Sequence, residues 1–277
     1  MSVSGLLADA AARIGGANGR LEAETLLAHV LGKTRAWLYA WPEHALDAEQ
    51  HAAYENMVEA RAHGEPIAYL TGHREFWSLN LQVTRDVLIP RHETELLVQL
   101  ALARIPRDVD TTLADLGTGS GAIALALAQE RPRAHVLATD ASAAALVVAR
   151  ANAERLTLSN VEFARGDWCD ALDRKTFDVI VSNPPYIASG DAHLDIGDLR
   201  SEPLSALASG SDGLDAIRRI VAQVPAHLRD GGWLLLEHGW DQAARVRELF
   251  EQCGFFAIST AHDDAGHERV TMASLRR

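Results

Sequence analysis

Residues 111–140, "TTLADLGTGSGAIALALAQERPRAHVLATD", decide the fold. "TTLADL" is an apolar run that stops at glycines 117, 119 and 121, "AIALALAQE" suits a helix, and "AHVLATD" is a second apolar run closing on Asp140. A strand, a glycine turn, a helix and another strand make one βα unit, which feeds a parallel sheet. The glycines let backbone approach a ligand and expose the free N–H groups of the helix start. Asp140 follows at about the ~20-residue spacing of a carboxylate that accepts from ribose hydroxyls.

The same alternation continues outward. "VEFARGD", "FDVIVSNPP" and "WLLLEHG" read as strands, with helices in "SAAALVVARANAERL", "LDAIRRIVAQVPAHL" and "DQAARVRELFEQCG". The end, "FFAISTAHDDAGHERVTMASL", holds two strand-like runs joined by a polar turn with no room for a crossover helix, so the last strand should be antiparallel. Before residue 74 the pattern is helical: Leu21, Leu27, Val30 and Leu31 are read as one helical face closed by Gly32, and Asp47 as the N-cap of a helix ending at Gly64. In "REFWSLNLQVTRDVLIP" the period changes to two, with Leu79, Leu81 and Val83 alternating against polar neighbours. The expected division is a helical domain at 1–73, a hairpin linker at 74–90 and an α/β catalytic domain at 91–277.

The chain has 277 residues, 48% hydrophobic, enough for a real core, and its net charge of -12 argues against holding nucleic acid by broad phosphate neutralisation. Cys169 and Cys253 are too few for a disulfide framework and suit a reducing cytoplasm. The opening "MSVSGLLADAAARIGGA" carries Asp9 and Arg13 within its apolar run and lacks a basic start, so an amphipathic helix is expected there and no membrane association.

A tight βα turn, or an NAD site, would need the same glycines. Two features favour S-adenosylmethionine. Asp115 precedes the glycines, where a carboxylate would attract a cationic ligand and repel a pyrophosphate. "GDW" follows the third strand, where Asp167 and Trp168 suit the amine and the face of an adenine.

In "FDVIVSNPPY" the two prolines stop the fourth strand with carbonyls unpaired at the ligand edge of the sheet. The side-chain oxygen of Asn183 and the main-chain oxygen of Pro184 are two acceptors that could take both N–H groups of a planar amide or exocyclic amine and stabilise charge growing on its nitrogen. Tyr186 could stack on the flat group, and Pro185 stiffens the slot.

With these residues in place the sequence resembles class I S-adenosylmethionine methyltransferases, and more narrowly the bacterial peptide chain release factor glutamine methyltransferases, the PrmC/HemK family. The resemblance rests on "GEPIAYLTG", "VLIPRHETELLV", "DLGTGSGAIALALA", "GDW", "VSNPPYI", "EPLSALASGSDGLDAIRRI", "LLLEHGW" and "ERVT", and covers nearly the whole chain. It implies a seven-stranded Rossmann-like sheet of order 3-2-1-4-5-7-6 and N5-methylation of the glutamine in the Gly-Gly-Gln tip of class 1 release factors. It also implies that Gly117, Thr118, Gly119, Ser120 and Gly121 contact the cofactor, Asp140 the ribose, and Asp167 with Trp168 the adenine. Asn183 would serve cofactor and substrate, with Pro184, Pro185 and Tyr186 lining the glutamine slot. The helical domain would help grip the protein substrate, and a monomer is expected. His92 stands where the family usually has proline, while Arg91, Glu93, Thr94 and Glu95 match and suit the methionine end of the cofactor.

Three other readings compete. The histidine in "RHETE" lacks the paired cysteines of a zinc deaminase, and "HDDAGH" reads as a solvated turn between strands, so no metal is expected. An adenine-N6 DNA methyltransferase would use "NPPY" by the same physics, but residues 1–75 hold 6 basic and 10 acidic residues, a poor DNA clamp. A catalytically silent S-adenosylmethionine-binding module docking on translation factors would not need an intact "NPPY".

Overall fold

The computed structural model describes residues 2–276, which form two units. The first comprises the chain up to His73 together with Ile196–Ser201; the second comprises Arg74–Asp195 with Glu202 onward. No helix among the described residues is long and apolar enough to cross a membrane.

The first unit is helical: α1 (Val3–Ile14), α2 (Gly19–Leu31), α3 (Arg35–Ala40), α4 (Ala48–Ala62) and α5 (Ile67–Thr71). Leu6, Leu7, Leu26, Leu27, Tyr54 and Val58 pack its core. Gly32 ends α2 in the left-handed region at φ 60°, as its position implies. Asp47 starts α4 with a full capping box, its carboxylate accepting from Gln50 N while the Gln50 side chain accepts from Asp47 N. The face of α2 differs from the sequence reading. Leu21 is 44% exposed, and the buried side is Ala23, Leu26 and Leu27 with Glu24. Glu24 can be buried because Arg20, Arg35 and Tyr39 all donate to it, which rotates the face away from the apolar pattern. Residues 196–201 join this unit through Arg61, which donates to Asp198 at 2.8 Å, and through Arg200, which donates to the His63 carbonyl at 2.6 Å.

The hairpin of β1 (His73–Phe76), whose first residue closes the first unit, and β2 (Leu79–Gln82) opens the second, followed by α6 (Glu95–Leu102). There follow β3 (Thr111–Leu116), α7 (Ala122–Glu130), β4 (Ala134–Asp140), α8 (Ala143–Arg155), β5 (Val161–Arg165) and β6 (Phe177–Ser182). The unit closes with α9 (Asp215–Gln223), β7 (Leu228–Glu237), α10 (Ala243–Gln252), β8 (Phe255–His262) and β9 (Glu268–Leu275). The main sheet runs β5-β4-β3-β6-β7-β9-β8, with only β9 antiparallel to its neighbours. This is the Rossmann-like methyltransferase sheet with the antiparallel last strand that the sequence implies.

Alternation along each strand feeds two apolar layers. Leu113, Val136 and Val179 pack with the hairpin, α6 and α7, whereas Ala114, Leu116 and Ile180 pack with α9 and α10. β8 and β9 are joined by a turn in which the Asp263 carboxylate accepts from Ala265 N and His267 N, the local bonding of an Asx turn.

The register of the parallel strands positions the site. Leu116 is paired with Thr139 on one side and Ser182 on the other, and Asp140 with Arg165. The next residues of each strand, Gly117, Asp140, Gly166 to Trp168, and Asn183, therefore stand side by side along one carboxyl edge. Ligands of open α/β sheets bind at such an edge.

Candidate active site

A cavity of about 350 Å3 opens at this edge, lined by Gly117, Gly119, Asp140, Asp167, Trp168, Asn183 and Pro185 among others. Its far wall is built from Arg85–Leu88 and from Pro203, Ser205 and Ala206. One buried carboxylate ties those two segments together: Glu202 accepts from Ile89 N at 2.9 Å and is ion-paired with Arg91.

The glycine loop is braced on three sides. Gly117 N and Thr118 N both donate to the Thr139 carbonyl, at 2.9 and 2.8 Å. Gly119 N donates to Asp140 Oδ2 at 2.9 Å, and Asp140 Oδ1 accepts from Ser142 N at 2.8 Å, at the start of α8. From below, the fully buried Asn152 donates to the Ser120 and Gln82 carbonyls and accepts from Gln82 N, so it pins the loop to the hairpin with its amide satisfied. Gly119 has φ +55°, and a Cβ built there would meet nothing within 4 Å. Its backbone thus presents open space to a ligand, which any side chain would fill.

Asp115 is a correction to the sequence reading. The sequence suits it to a cationic ligand, but its place in the strand alternation directs it under the loop, and it does not line the cavity. Its Oδ2 accepts from the Thr118 hydroxyl at 2.6 Å and from Ala124 N at 3.2 Å, while Oδ1 is buried without a partner. Burial pushes this carboxyl up to about 7, against the lowering effect of its two hydrogen bonds. Thr118, Ser120 and Gly121 likewise do not line the cavity and serve the loop from within.

Trp168, at φ 53°, packs on Gly117 so closely that an added Cβ on that glycine would stand 3.1 Å from the indole ring. Asp167 Oδ2 accepts from Arg219 at 2.7 Å in a half-exposed pair. Neighbouring Cys169 is buried, which pushes its thiol up to about 12, out of the range of a nucleophile.

Asn183 and Pro185 face the cavity, whereas Pro184 and Tyr186 do not line it. The Asn183 amide nitrogen donates to Thr94 Oγ1 at 3.0 Å, which leaves its carbonyl oxygen as the atom available to the cavity. Tyr186 donates to Glu237 Oε1 at 3.3 Å, and its carbonyl accepts from Gln242 at 2.9 Å. Burial and the adjacent Glu237 hold the Tyr186 hydroxyl well above its usual value, so it stays a donor. Thr94, which the sequence suits to the methionine end of the cofactor, holds Asn183, and Glu237 and Asn152 carry no mark in the sequence. Their roles arise from contacts across 51 to 89 residues of chain.

The donor set fits S-adenosylmethionine. An acidic strand end at Asp140, an acid and an indole at 167 and 168, an open glycine backbone and a carbonyl at Asn183 match a ribose, an adenine and a cationic centre.

Comparison with known proteins agrees with this geometry. The family described as PrmC N-terminal domain matches residues 5–72, and the methyltransferase small domain matches residues 92–199. The release factor glutamine methyltransferase of Xylella fastidiosa strain Temecula1 is 54% identical over 267 residues, covering 96% of each chain. That of Pseudomonas aeruginosa is 52% identical over 255 residues, covering 92% of each. In fold the chain is similar to a methyltransferase from Pyrococcus furiosus, with TM-score 0.55 and 18% identity over 83% of this chain and 100% of that one. Identity at this level across nearly the full length settles the relationship: the chain belongs to the release factor glutamine methyltransferase family.

Proposed function

We infer that the chain is a methyltransferase that places a methyl group from S-adenosylmethionine on the side-chain amide nitrogen of the glutamine in the Gly-Gly-Gln tip of class 1 release factors. The observation that carries this reading is the Asn183 amide, held by Thr94 with its oxygen left for the cavity.

Asp140 would hold the ribose, Asp167 and Trp168 the adenine, and Gly117 and Gly119 the remainder of the cofactor through their backbone. When bound, S-adenosylmethionine would supply an electrophilic methyl carbon, its C–S electron pair passing to sulfur as the amide nitrogen forms the C–N bond, and the proton made acidic on that nitrogen would pass to water. The amide lone pair is delocalised and a poor nucleophile. Asn183 Oδ1 would take one of its N–H groups, and the Pro184 carbonyl, between two residues that line the cavity, would take the other, fixing the nitrogen in line. As the nitrogen pyramidalises and gains positive charge, these two dipoles stabilise it more than they stabilise the planar ground state. Alignment alone can supply roughly 7 to 11 kcal/mol, and no base is needed before attack, because the amide proton becomes acidic only once the nitrogen is alkylated. Tyr186 is fixed at its hydroxyl and its carbonyl and would stiffen the chain that follows Pro185.

The test is mass spectrometry of a release factor after reaction with labelled cofactor, with duplex DNA as a parallel substrate. One methyl on the glutamine of Gly-Gly-Gln is the expected result. Label in DNA alone would replace this reading with adenine methylation, and cofactor binding with neither substrate labelled would replace it with a silent binding module.

A further inference from the structure

Residues 207–213, between the cavity wall and α9, do not line the cavity, yet they run beside the chain that leaves the acceptor slot. Ile187 N donates to the Leu207 carbonyl at 2.9 Å, Ser209 N to the Ile187 carbonyl at 2.8 Å, and Ser189 N to the Gly210 carbonyl at 2.8 Å, the bonding of a short parallel bridge. The two prolines thus interrupt a ladder that resumes at Ile187 on a new partner.

The Pro184 carbonyl hangs in that interruption. Among the described residues no protein donor reaches it. A carbonyl with no bond of its own is aimed by whatever holds its neighbours. On one side is Asn183, tied to Thr94. On the other is Tyr186, whose carbonyl accepts from Gln242 Nε2 at 2.9 Å. The Pro185 ring locks one dihedral between them, so a shift of the Tyr186 carbonyl is passed back along the chain more readily than it is absorbed.

We propose that Gln242 is a positioning residue for methyl transfer: its side-chain amide clamps the Tyr186 carbonyl and so aims the Pro184 carbonyl at the substrate amide. The inference rests on the reading of Pro184 as the second acceptor and extends it by one step.

Gln242, at the start of α10, is 4% exposed and uses both ends of its amide. Its Oε1 accepts from Gly239 N at 2.8 Å, just beyond β7. A backbone N–H can only donate, so the oxygen must face Gly239, and Nε2 is left for the carbonyls of Tyr186 and, at 3.5 Å, Asp212. One side chain thereby joins the acceptor turn, the loop before α9 and the turn before α10. Gly213 completes the clamp. It has φ +78°, and a Cβ there would stand 2.2 Å from the Tyr186 oxygen and 2.7 Å from Gln242 Nε2, so only glycine leaves room for the bond. The neighbouring Asp212 carboxylate accepts from Arg218 at 2.6 Å and Arg245 at 3.4 Å, which anchors the loop that carries Gly213.

Gln242→Glu tests the clamp by exchanging its donor alone. The new side chain still accepts from Gly239 N. Ionised, it sets an acceptor against the Tyr186 carbonyl; protonated, it donates again. The titratable and charged groups around it, Asp212 with Arg218 and Arg245, Tyr186 with Glu237, His238 and Asp241, are the same in the wild type, so each reading is taken as a ratio to wild type at the same pH. With 13C at tyrosine carbonyls the four tyrosines give four signals, and that of Tyr186 should move in the variant at high pH and return on acidification. The kcat for release factor methylation should fall about 10- to 100-fold at high pH, the cost of a misplaced acceptor, and recover over the same pH range. Gln242 does not line the cavity, so S-adenosylmethionine affinity should stay within about twofold. Gln242→Met donates at no pH and should show the same loss without recovery; it carries the test if the glutamate variant fails to fold. Near-wild-type kcat in the methionine variant, a kcat ratio that does not follow the Tyr186 signal, or a loss confined to cofactor affinity would overturn the assignment. Failure of the wild type to methylate any release factor would instead overturn the functional reading, and the Tyr186 signal would still show whether Gln242 holds that carbonyl.

Discussion

The Asp140 carboxylate bridges two backbones: one oxygen accepts from Gly119 N at 2.9 Å and the other from Ser142 N at 2.8 Å. A residue read as a ribose acceptor is thus also a brace between the glycine loop and the start of α8. Both tasks use the same two oxygens, so a ligand hydroxyl that binds there joins a preformed, charge-assisted arrangement instead of ordering a loose one.

Asp140→Ala should therefore weaken S-adenosylmethionine binding by about 10- to 100-fold, the loss of one or two hydrogen bonds to a charged acceptor. The kcat at saturating cofactor should change by only a few-fold. Calorimetric titration beside steady-state kinetics separates the two, and an effect confined to kcat would contradict the ribose assignment.

Asn183→Ala should give the opposite split. The side chain is half-buried, and its amide donates only to Thr94, so the fold should survive with a stability loss of roughly 1 kcal/mol. Removing one preorganised acceptor at the reacting nitrogen should cost about 100-fold or more in kcat. Circular dichroism and single-turnover methylation check the two halves, and near-wild-type turnover would show that the acceptor lies elsewhere.

The carboxyl edge was legible in the sequence because glycine and proline punctuate the strand ends: Gly117 and Asn183 each follow an apolar run at a point where the ladder must stop. Their neighbours in space left no such mark. Thr94 reaches Asn183 from 89 residues away, and Asn152 reaches Gln82 from 70, so no periodicity records either. Residues 196–201, which join the helical unit through an Arg61–Asp198 ion pair and the hydrogen bond from Arg200 to the His63 carbonyl, are equally silent, since such side chains look like any solvated surface. Asp115 misled for a geometric reason: position along a strand says that a residue is near the edge, and only the pleat says which face it takes.

Buried carboxyls give a pH dependence of stability with a definite sign. Asp115 is raised from 3.8 to about 7, so between these values the folded state binds more protons than the unfolded one, and the unfolding free energy falls as pH rises. The stabilisation is complete below about 4 and lost once pH passes about 7. Asp115→Asn mimics the neutral carboxyl, keeping an acceptor for Thr118 and Ala124 N, so it should flatten this part of the profile. Urea unfolding at pH 5 and pH 8 should show a wild-type loss that exceeds that of the variant by at most about 3 kcal/mol. A steeper profile in the variant would reverse the sign argued here.

Gly117→Ala tests the contact that shapes the adenine side of the cavity. The residue has φ +74°, a region that costs alanine roughly 1 kcal/mol before any contact is considered. Its new Cβ would lie 3.1 Å from the Trp168 ring, tighter than ordinary van der Waals contact, so the indole must shift. Trp168 already sits at φ 53°, and one of its neighbours, Asp167, is held by Arg219, which limits how far the ring can retreat. The displacement should therefore open the cavity wall instead of being absorbed by the backbone. Tryptophan fluorescence should change in the free protein, cofactor affinity should fall at least about tenfold, and stability should drop by roughly 1 to 3 kcal/mol. The chemical step at saturating cofactor should be nearly unchanged, because Asn183 lies on a different strand end. A variant with normal affinity and an altered chemical step would show that Trp168 does not form part of the nucleoside wall.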